Sequence, residues 1–447
     1  MSDGPAPEDS GERRRTSFLK TAVGTFGTNV AVSILSLVNV LIVARVLGPS
    51  GRGDVAFLIA IATLAAFFGA LGIQEANGNL ASADAAIRPS LATNSILFAF
   101  LFGAIVAVAI AVLVAIFPAM GGDVSRAMLW ATLAVIPAII IKGYLNYLVQ
   151  AGYRFAITNL TWLAGPLTTA VSNSLLAITG HLTVWSAIIA WIAGQLFGTT
   201  LLVVYVGRQI GFGRPNLHLA RRATGFGWKV HVGQTLAIGN YRLDQWFVGA
   251  FNGSTELGLY SVAVAWAEVL FYLPGVMVMV QRPDLVRADS RTAAALAQRV
   301  LRITLLLAVG MAIVLVVAAP FLCTVVFGPE FAGSVPDLRV LAGGAIGICL
   351  MTLLGSALNT QRRPLLTTYA SACAFVLTIG LDLLLIPQHG GLGASIATTA
   401  AWTGGGIVIA VLFSRAMRTS VAGLIPRGSD VRWIHSELRA RLHARRA

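Results

Sequence analysis

About twelve apolar stretches of roughly 20 residues recur along this chain, each long enough to cross a ~30 Å hydrocarbon core at ~1.5 Å per helical residue. They fall near 21–44, 55–80, 91–117, 127–150, 157–179, 183–206, 228–250, 257–280, 301–322, 338–358, 365–386 and 392–413. Only 11% of the residues are charged, against about 25% in soluble domains. Backbone in lipid must satisfy its own hydrogen bonds, which leaves helices or closed barrels. Stretches of this length predict an all-α polytopic membrane protein.

The basic residues orient the spans. Of 32 Lys and Arg, 26 lie in segments on one side: Arg13 to Lys20, Arg88, Arg154, Arg208 to Lys229, Arg282 to Arg302, Arg362 and Arg363, and eight Arg from Arg415 to Arg446. The other side has Arg45, Arg52, Arg126 and Arg339, and Lys142 and Arg242 lie inside spans. Short cytoplasmic loops carry the excess of Lys and Arg, so both termini are predicted to be cytoplasmic. The net charge of +14 is thereby topological, and nucleic acid is not expected as a partner. No cleavage motif follows a short apolar core near the start, so the first span reads as retained. Cys323, Cys349 and Cys373 sit in apolar spans without metal-ligand spacing and read as small buried hydrophobes.

Three pairs of short patterns recur at nearly one offset. Gly48-x4-Gly53 matches Gly253-x4-Gly258, Gln150-x3-Arg154 matches Asn359-x3-Arg363, and Ala187-x2-Ala190 matches Ala394-x2-Ala397. Together they suggest a duplicated six-helix unit. An even number of spans gives both copies the same orientation, a parallel internal repeat. The expected layout is a tail over 1–17, a six-helix lobe over 18–207, a cytoplasmic linker over 208–227, a second six-helix lobe over 228–415, and a basic tail over 416–447. The two lobes are expected to enclose a central cavity. In the tail, Val431, Ile434, Leu438 and Leu442 repeat among arginines, the pattern of an interfacial amphipathic helix on an anionic leaflet.

Polar residues inside spans are the candidates for function. Span one has a band through Thr21, Thr25, Thr28, Asn29, Ser33, Ser36 and Asn39, which reads equally as helix–helix hydrogen bonding or as a wet face. Lys142, Asn146 and Gln150 stand at i, i+4, i+8 on one face of span four. Span seven carries His231, Gln234, Thr235, Tyr241, Arg242 and Gln245. An Arg at mid-span costs at least ~2.5–3.5 kcal/mol facing lipid, so Arg242 must face protein or water. Glu75, Asp244, Glu268 and Asp382 are the intramembrane acids and the candidates for coupling to H⁺ or Na⁺. Net positive charge in a cavity suits an anionic ligand, and the Arg fork suits phosphate. No set of these residues has hydrolase or transferase spacing, and no metal or other cofactor is expected. Pro137, Pro166 and Pro274 predict kinks.

Longer motifs carry a resemblance. Leu383-Leu384-Leu385-Ile386-Pro387-x3-Gly391-x-Gly393-Ala394-x-Ile396-Ala397 resembles a late-span signature of Wzx-type polysaccharide flippases, within the multidrug/oligosaccharidyl-lipid/polysaccharide exporter superfamily. Ala44-Arg45-x-Leu47-Gly48-x4-Gly53 is similar to the end of their first helix. Arg242-x-Asp244-x3-Val248-Gly249 and Leu257-Gly258-x-Tyr260-x2-Ala263 are similar to their seventh helix and the turn after it. Asp382 stands where Asn is commoner in that family.

The resemblance implies translocation of a polyprenyl-diphosphate-linked oligosaccharide from the cytoplasmic to the outer leaflet of the plasma membrane, for cell-surface polysaccharide. Related lipid II flippases hold the diphosphate in a cationic cavity, an expectation that Arg45 and Arg242 inherit by motif. Lys142, Asn146, Gln150, Gln234 and Gln245 join them from their stripes. The implied partners are the lipid-linked oligosaccharide, membrane lipids, and polysaccharide polymerase or glycosyltransferases. The alternatives are a cation-coupled multidrug exporter of the same superfamily, which wants an acidic N-terminal cavity, and a membrane-embedded polymerase or glycosyltransferase, which wants a large external loop.

Overall fold

A computed structural model describes residues 8–428 and 430, with side chains outside 8–23, 230, 232–234, 237–241 and 282–283. The segment 431–447 with its amphipathic stripe, and the side chains of Thr21, Gln234, Asn240 and Tyr241, lie outside the described residues. The chain divides into two compact units, one reaching Gln234 and the other beginning at Thr235.

The first unit contains helices α1 (Glu8–Gly69), α2 (Ile73–Ala83), α3 (Arg88–Ile116), α4 (Arg126–Leu133), α5 (Ile136–Gln150), α6 (Phe155–Ile178) and α7 (Val184–Gln209). Helix α8 (Leu217–Ala267) starts in the first unit and continues into the second. There it is followed by α9 (Val269–Arg287), α10 (Ser290–Pro320), α11 (Ser334–Gly343), α12 (Ala345–Thr360) and α13 (Pro364–Ala416).

Eight helical stretches among the described residues are long and apolar enough to span a membrane. Three of them are each two helices joined across a kink, at Gly48, Gly253 and Gly390, where φ is +67°, +84° and +54°. An L side chain is disfavoured there, and glycine has no Cβ to clash. Dividing those three, and adding the 24-residue α6, gives the twelve expected spans. Spans are inside out by soluble standards. On α3, Leu97, Phe100, Leu101, Ile105, Val108, Val112 and Ile116 are all exposed, and in lipid such a face costs nothing.

The duplication is written in the backbone. Left-handed residues pair across the units: Gly48 with Gly253, Gly122 with Gly328, Tyr153 with Arg362, Gly180 with Gly390, and Gly211 with Arg418. At the fourth span's end Tyr153 N donates to Gln150 O and Arg154 N to Val149 O; in the second copy Arg362 N donates to Asn359 O and Arg363 N to Leu358 O. Both copies also break their second and fourth spans. The breaks fall between α1 and α2, α4 and α5, α8 and α9, and α11 and α12. Pro137 opens α5 at the second of these, and its missing N–H suits a helix start.

Each copy ends in a strap laid back on its own third span. After α7, Gly213 N donates to Pro89 O (2.9 Å) and Thr93 Oγ1 to Gly213 O (2.7 Å), while Asn94 and Asn216 exchange two hydrogen bonds. After α13, Arg302 on α10 donates to Gly423 O (3.0 Å) and Asp430 Oδ2 (2.9 Å).

The cytoplasmic linker expected over 208–227 and the basic segment from 282 to 302 are mostly helix. Coil between α7 and α8 is confined to 210–216, and between α9 and α10 to 288–289, where Asp289 caps α10 by accepting from Thr292 N. Hydropathy marks where lipid contact ends, and a helix runs on until its cap. Cys323 and Cys349 are buried free thiols and Cys373 is partly buried.

Candidate functional site

In the first unit, α5 carries its expected polar face on one unbroken helix. Lys142 is 5% exposed; its Nζ donates to Gln195 Oε1 on α7 at 2.7 Å and lies 5.3 Å from the centroid of the Trp162 ring on α6. Both partners are neutral, and no carboxylate pairs with Lys142 among the described residues. One turn on, buried Asn146 accepts from Thr161 Oγ1 (3.3 Å), while its Nδ2 and the hydroxyl of Thr158 have no hydrogen-bond partner. Gln150 ends the helix, half-buried, about 12 Å from Lys142 by helical rise.

Small residues bring α6 and α7 together around this group. A Cβ on Gly194 would lie 2.6 Å from Gly165 O, and one on Gly198 would lie 2.9 Å from Thr161 O. That is the close backbone approach that small-xxx-small spacing permits between membrane helices. The span-one band resolves towards helix–helix contact: Asn159 Nδ2 donates to Thr25 Oγ1, and Asn173 Nδ2 to Asn39 Oδ1 (2.7 Å). Arg45 is exposed on α1, three residues before the Gly48 turn. Glu75 sits in the first turn of α2, just past the break in span two, and is hydrogen-bonded to Tyr147. His231, early in α8, stacks on Phe67 (5.2 Å between ring centres) in the first unit.

The second unit gathers three of the four candidate acids. Asp244 is buried and accepts hydrogen bonds from the Tyr260 hydroxyl, the Gln245 amide (2.7 Å) and Thr398 Oγ1 (3.4 Å). Asp382 is fully buried on α13, interacts electrostatically with Asp244 and Tyr260, and has no hydrogen-bond partner on either oxygen among the described residues. Burying a carboxyl without partners is costly unless it is protonated or meets a cation. Glu268 occupies the break between α8 and α9 and pairs with Arg242 Nη2 at 3.0 Å, both side chains 38% exposed. Asp244, Tyr260, Glu268 and Thr398 line one cavity of about 20 Å³, enough for a single water or ion. Gln245 is buried beside Asp244.

The structure thus joins Asp244, Asp382 and Glu268 with Arg242, and separately joins Lys142 with Asn146; Glu75 stands apart in the first unit. Sequence reasoning missed Gln195 and Trp162 beside the lysine, and Tyr260 and Thr398 beside the acids. Tyr260 lies within the quoted Leu257-Gly258-x-Tyr260 motif, and Gln195 is a lone amide in an apolar span; both signals were present. The side chains that reach Asp244 from Tyr260 and Thr398 are hydroxyls, and with the two carboxyls they form an oxygen-rich group that suits a proton or a hard cation. No cluster of three or more His, Cys, Asp or Glu among the described residues could hold a metal ion.

Known proteins agree with this architecture. The fold is similar to that of the lipid II flippase MurJ in an inward closed conformation, with a TM-score of 0.73 and 14% identity over 91% of this chain and 89% of that one. It is similar to an inward-facing multidrug resistance MATE family transporter of the MOP superfamily, at 0.67 and 15% over 87% and 96%. A MOP superfamily transporter from Pyrococcus furiosus, described by a binding pocket of reversed polarity, gives 0.56 and 13% over 91% and 95%. At such identities these likenesses show the fold alone. No curated protein matches the sequence. Residues 42–336 match the polysaccharide biosynthesis protein family. With that match over most of its length, this multi-pass membrane protein belongs to the polysaccharide biosynthesis protein family.

Proposed function

We propose that the chain moves a polyprenyl-diphosphate-linked oligosaccharide from the cytoplasmic to the outer leaflet of the plasma membrane by alternating access, feeding cell-surface polysaccharide assembly. The observation that carries this reading is the family match, joined to a buried lysine with only neutral partners. A diphosphate is the kind of charge that Lys142 lacks among the described residues, and Arg45 and Arg242 would complete its neutralisation. Asn146, Gln150, Gln234 and Gln245 would hydrogen-bond the head.

The acids of the second unit supply the drive. Binding of H⁺ or Na⁺ at Asp244, Asp382, Tyr260 and Thr398 would favour one state of the transporter, and the neighbouring Arg242–Glu268 pair would open when diphosphate competes for the arginine. Glu75, held by Tyr147 in the other unit, is the weaker coupling candidate. A cation-coupled multidrug exporter would share the acid group, but it would want an acidic cavity in the first unit, where Glu75 is the one candidate acid and Lys142 is buried.

A strain lacking this chain should accumulate the lipid-linked oligosaccharide on its inner leaflet and lose surface polysaccharide. Unchanged surface polysaccharide with increased drug sensitivity would replace this reading with the exporter.

A further inference from the structure

The second unit has a cleft that the transport reading does not use. It holds about 390 Å³ between α10, α12, the second half of α13 and the strap after it, with Leu305, Val309, Leu350, Ile407, Leu424 and Ile425 among its walls. No charged side chain lines it. Leu305 and Leu424 are buried at its floor, whereas Ile407 and Ile425 at its mouth are 58% and 62% exposed. Three walls are membrane-spanning helices, so the mouth faces hydrocarbon. The cleft runs from the strap at the Arg-rich side towards the middle of the spans, the direction that an acyl chain takes within one leaflet.

Its upper rim is cationic. Arg418 precedes the wall residue Val421 by three positions and Arg427 follows the wall residue Pro426; both side chains are exposed. Asp430 is the sole carboxylate in 415–430; it pairs with Arg302 at 2.9 Å, accepts from the Arg427 amide and feels the Arg427 charge, so the two rim arginines and Arg302 together outweigh it. The strap is also fixed in place: Gly423 packs so closely on Gln298 that a Cβ there would lie 2.8 Å from its Nε2. An apolar slot under two exposed arginines matches an anionic phospholipid, with phosphate on the guanidinium forks and one chain in the slot.

We propose that this cleft is a binding site for one acyl chain of an anionic phospholipid from the leaflet on the Arg-rich side, with Arg418 and Arg427 holding its phosphate. The site is independent of the transported substrate. To test it, the full chain is placed in vesicles of phosphatidylcholine and phosphatidylglycerol, one of which carries a photoreactive group on an acyl chain, and labelled peptides are mapped after irradiation. Labelling from phosphatidylglycerol should concentrate on 301–311, 407–411 and 421–426, and should fall about thirtyfold when the reactive chain is on phosphatidylcholine, the ratio expected of two membrane-surface arginines.

Ile407→Trp, which fills the mouth, should reduce labelling by both lipids. Arg418→Gln with Arg427→Gln changes only exposed side chains and should erase the preference while the protein stays folded. Equal labelling by the two lipids in the unaltered protein, or a preference that survives the double substitution, would overturn the proposal. So would displacement of phosphatidylglycerol by equimolar polyprenyl phosphate, or increased cleft labelling after removal of 431–447, since either names a different occupant.

Discussion

Lys142 shows how a single residue can be legible by kind and not by company. A lysine in an apolar span stands out in any sequence, and its i, i+4, i+8 alignment with Asn146 and Gln150 follows from helical geometry. Gln195, 53 residues later, does not stand out, because contact across helices follows from packing and not from spacing. The same holds for Arg242 and Glu268, which meet across the bend at Gly253. Burying a charge without one of opposite sign is costly, and removing that charge relieves the cost even though Gln195 Oε1 loses its donor. Lys142→Met is therefore expected to raise or preserve the melting temperature in detergent while translocation falls at least about tenfold, a change of ~1.4 kcal/mol in the barrier. Arg242→Ala removes a half-exposed pair worth about 0–1 kcal/mol, so insertion and stability should survive while transport is lost. Normal export by that variant would show that Arg242 is only an ion-pair partner. Asp382→Asn keeps the shape of a carboxyl that has no partners; it should abolish the dependence of transport on an H⁺ or Na⁺ gradient without lowering stability.

Helices and straps carry a different class of test. The spans were readable because hydropathy reports lipid contact, but their breaks were not, since only some follow proline. The break at Glu268 comes six residues before Pro274, and α11 passes to α12 at Gly344 with no proline near. The polar start of α8 falls within the expected linker because its side chains leave the lipid while its backbone remains helical. Around Lys142 the critical contact is α6 against α7. Gly194→Val inserts atoms where Gly165 O already stands 2.6 Å from an added Cβ, and overpacking of this kind costs about 1–3 kcal/mol. Thermal unfolding should show that loss, with Gly180→Ala, which meets no atom but keeps φ +71°, as a control for backbone strain alone.

The strap over α10 adds a pH dependence at the same scale. Burial opposes ionisation of Asp430, but hydrogen bonds from Arg302 and the Arg427 amide, with the charges of both arginines, hold its carboxyl below the ordinary 3.8. A depressed carboxyl contributes its stability in full above the unfolded value and loses it as pH falls through the folded one. Amide exchange over 420–428 should thus be slow at neutral pH and accelerate below pH 3.8; Asp430→Asn should exchange fast at both. Slow exchange in that variant would mean that the latch is idle.

For the molecule as a whole, duplication is the organising fact. Three loose sequence matches suggested it; five pairs of left-handed residues and two matched helix ends now express it in geometry. Backbone conformation at caps persists while side chains diverge, so it records the repeat better than sequence does. The two copies have since specialised: the first buries a cation among amides and an aromatic ring, and the second buries carboxyls among hydroxyls. That division suits an anionic cargo moved at the expense of a cation gradient. The most direct measurement is leaflet transfer of a labelled polyprenyl-diphosphate oligosaccharide in reconstituted vesicles with an imposed H⁺ or Na⁺ gradient. The account predicts gradient-dependent transfer by the unaltered protein, reduced to the level of empty vesicles when Lys142→Met and Arg242→Ala are combined. Transfer that ignores both the gradient and the two substitutions would contradict it.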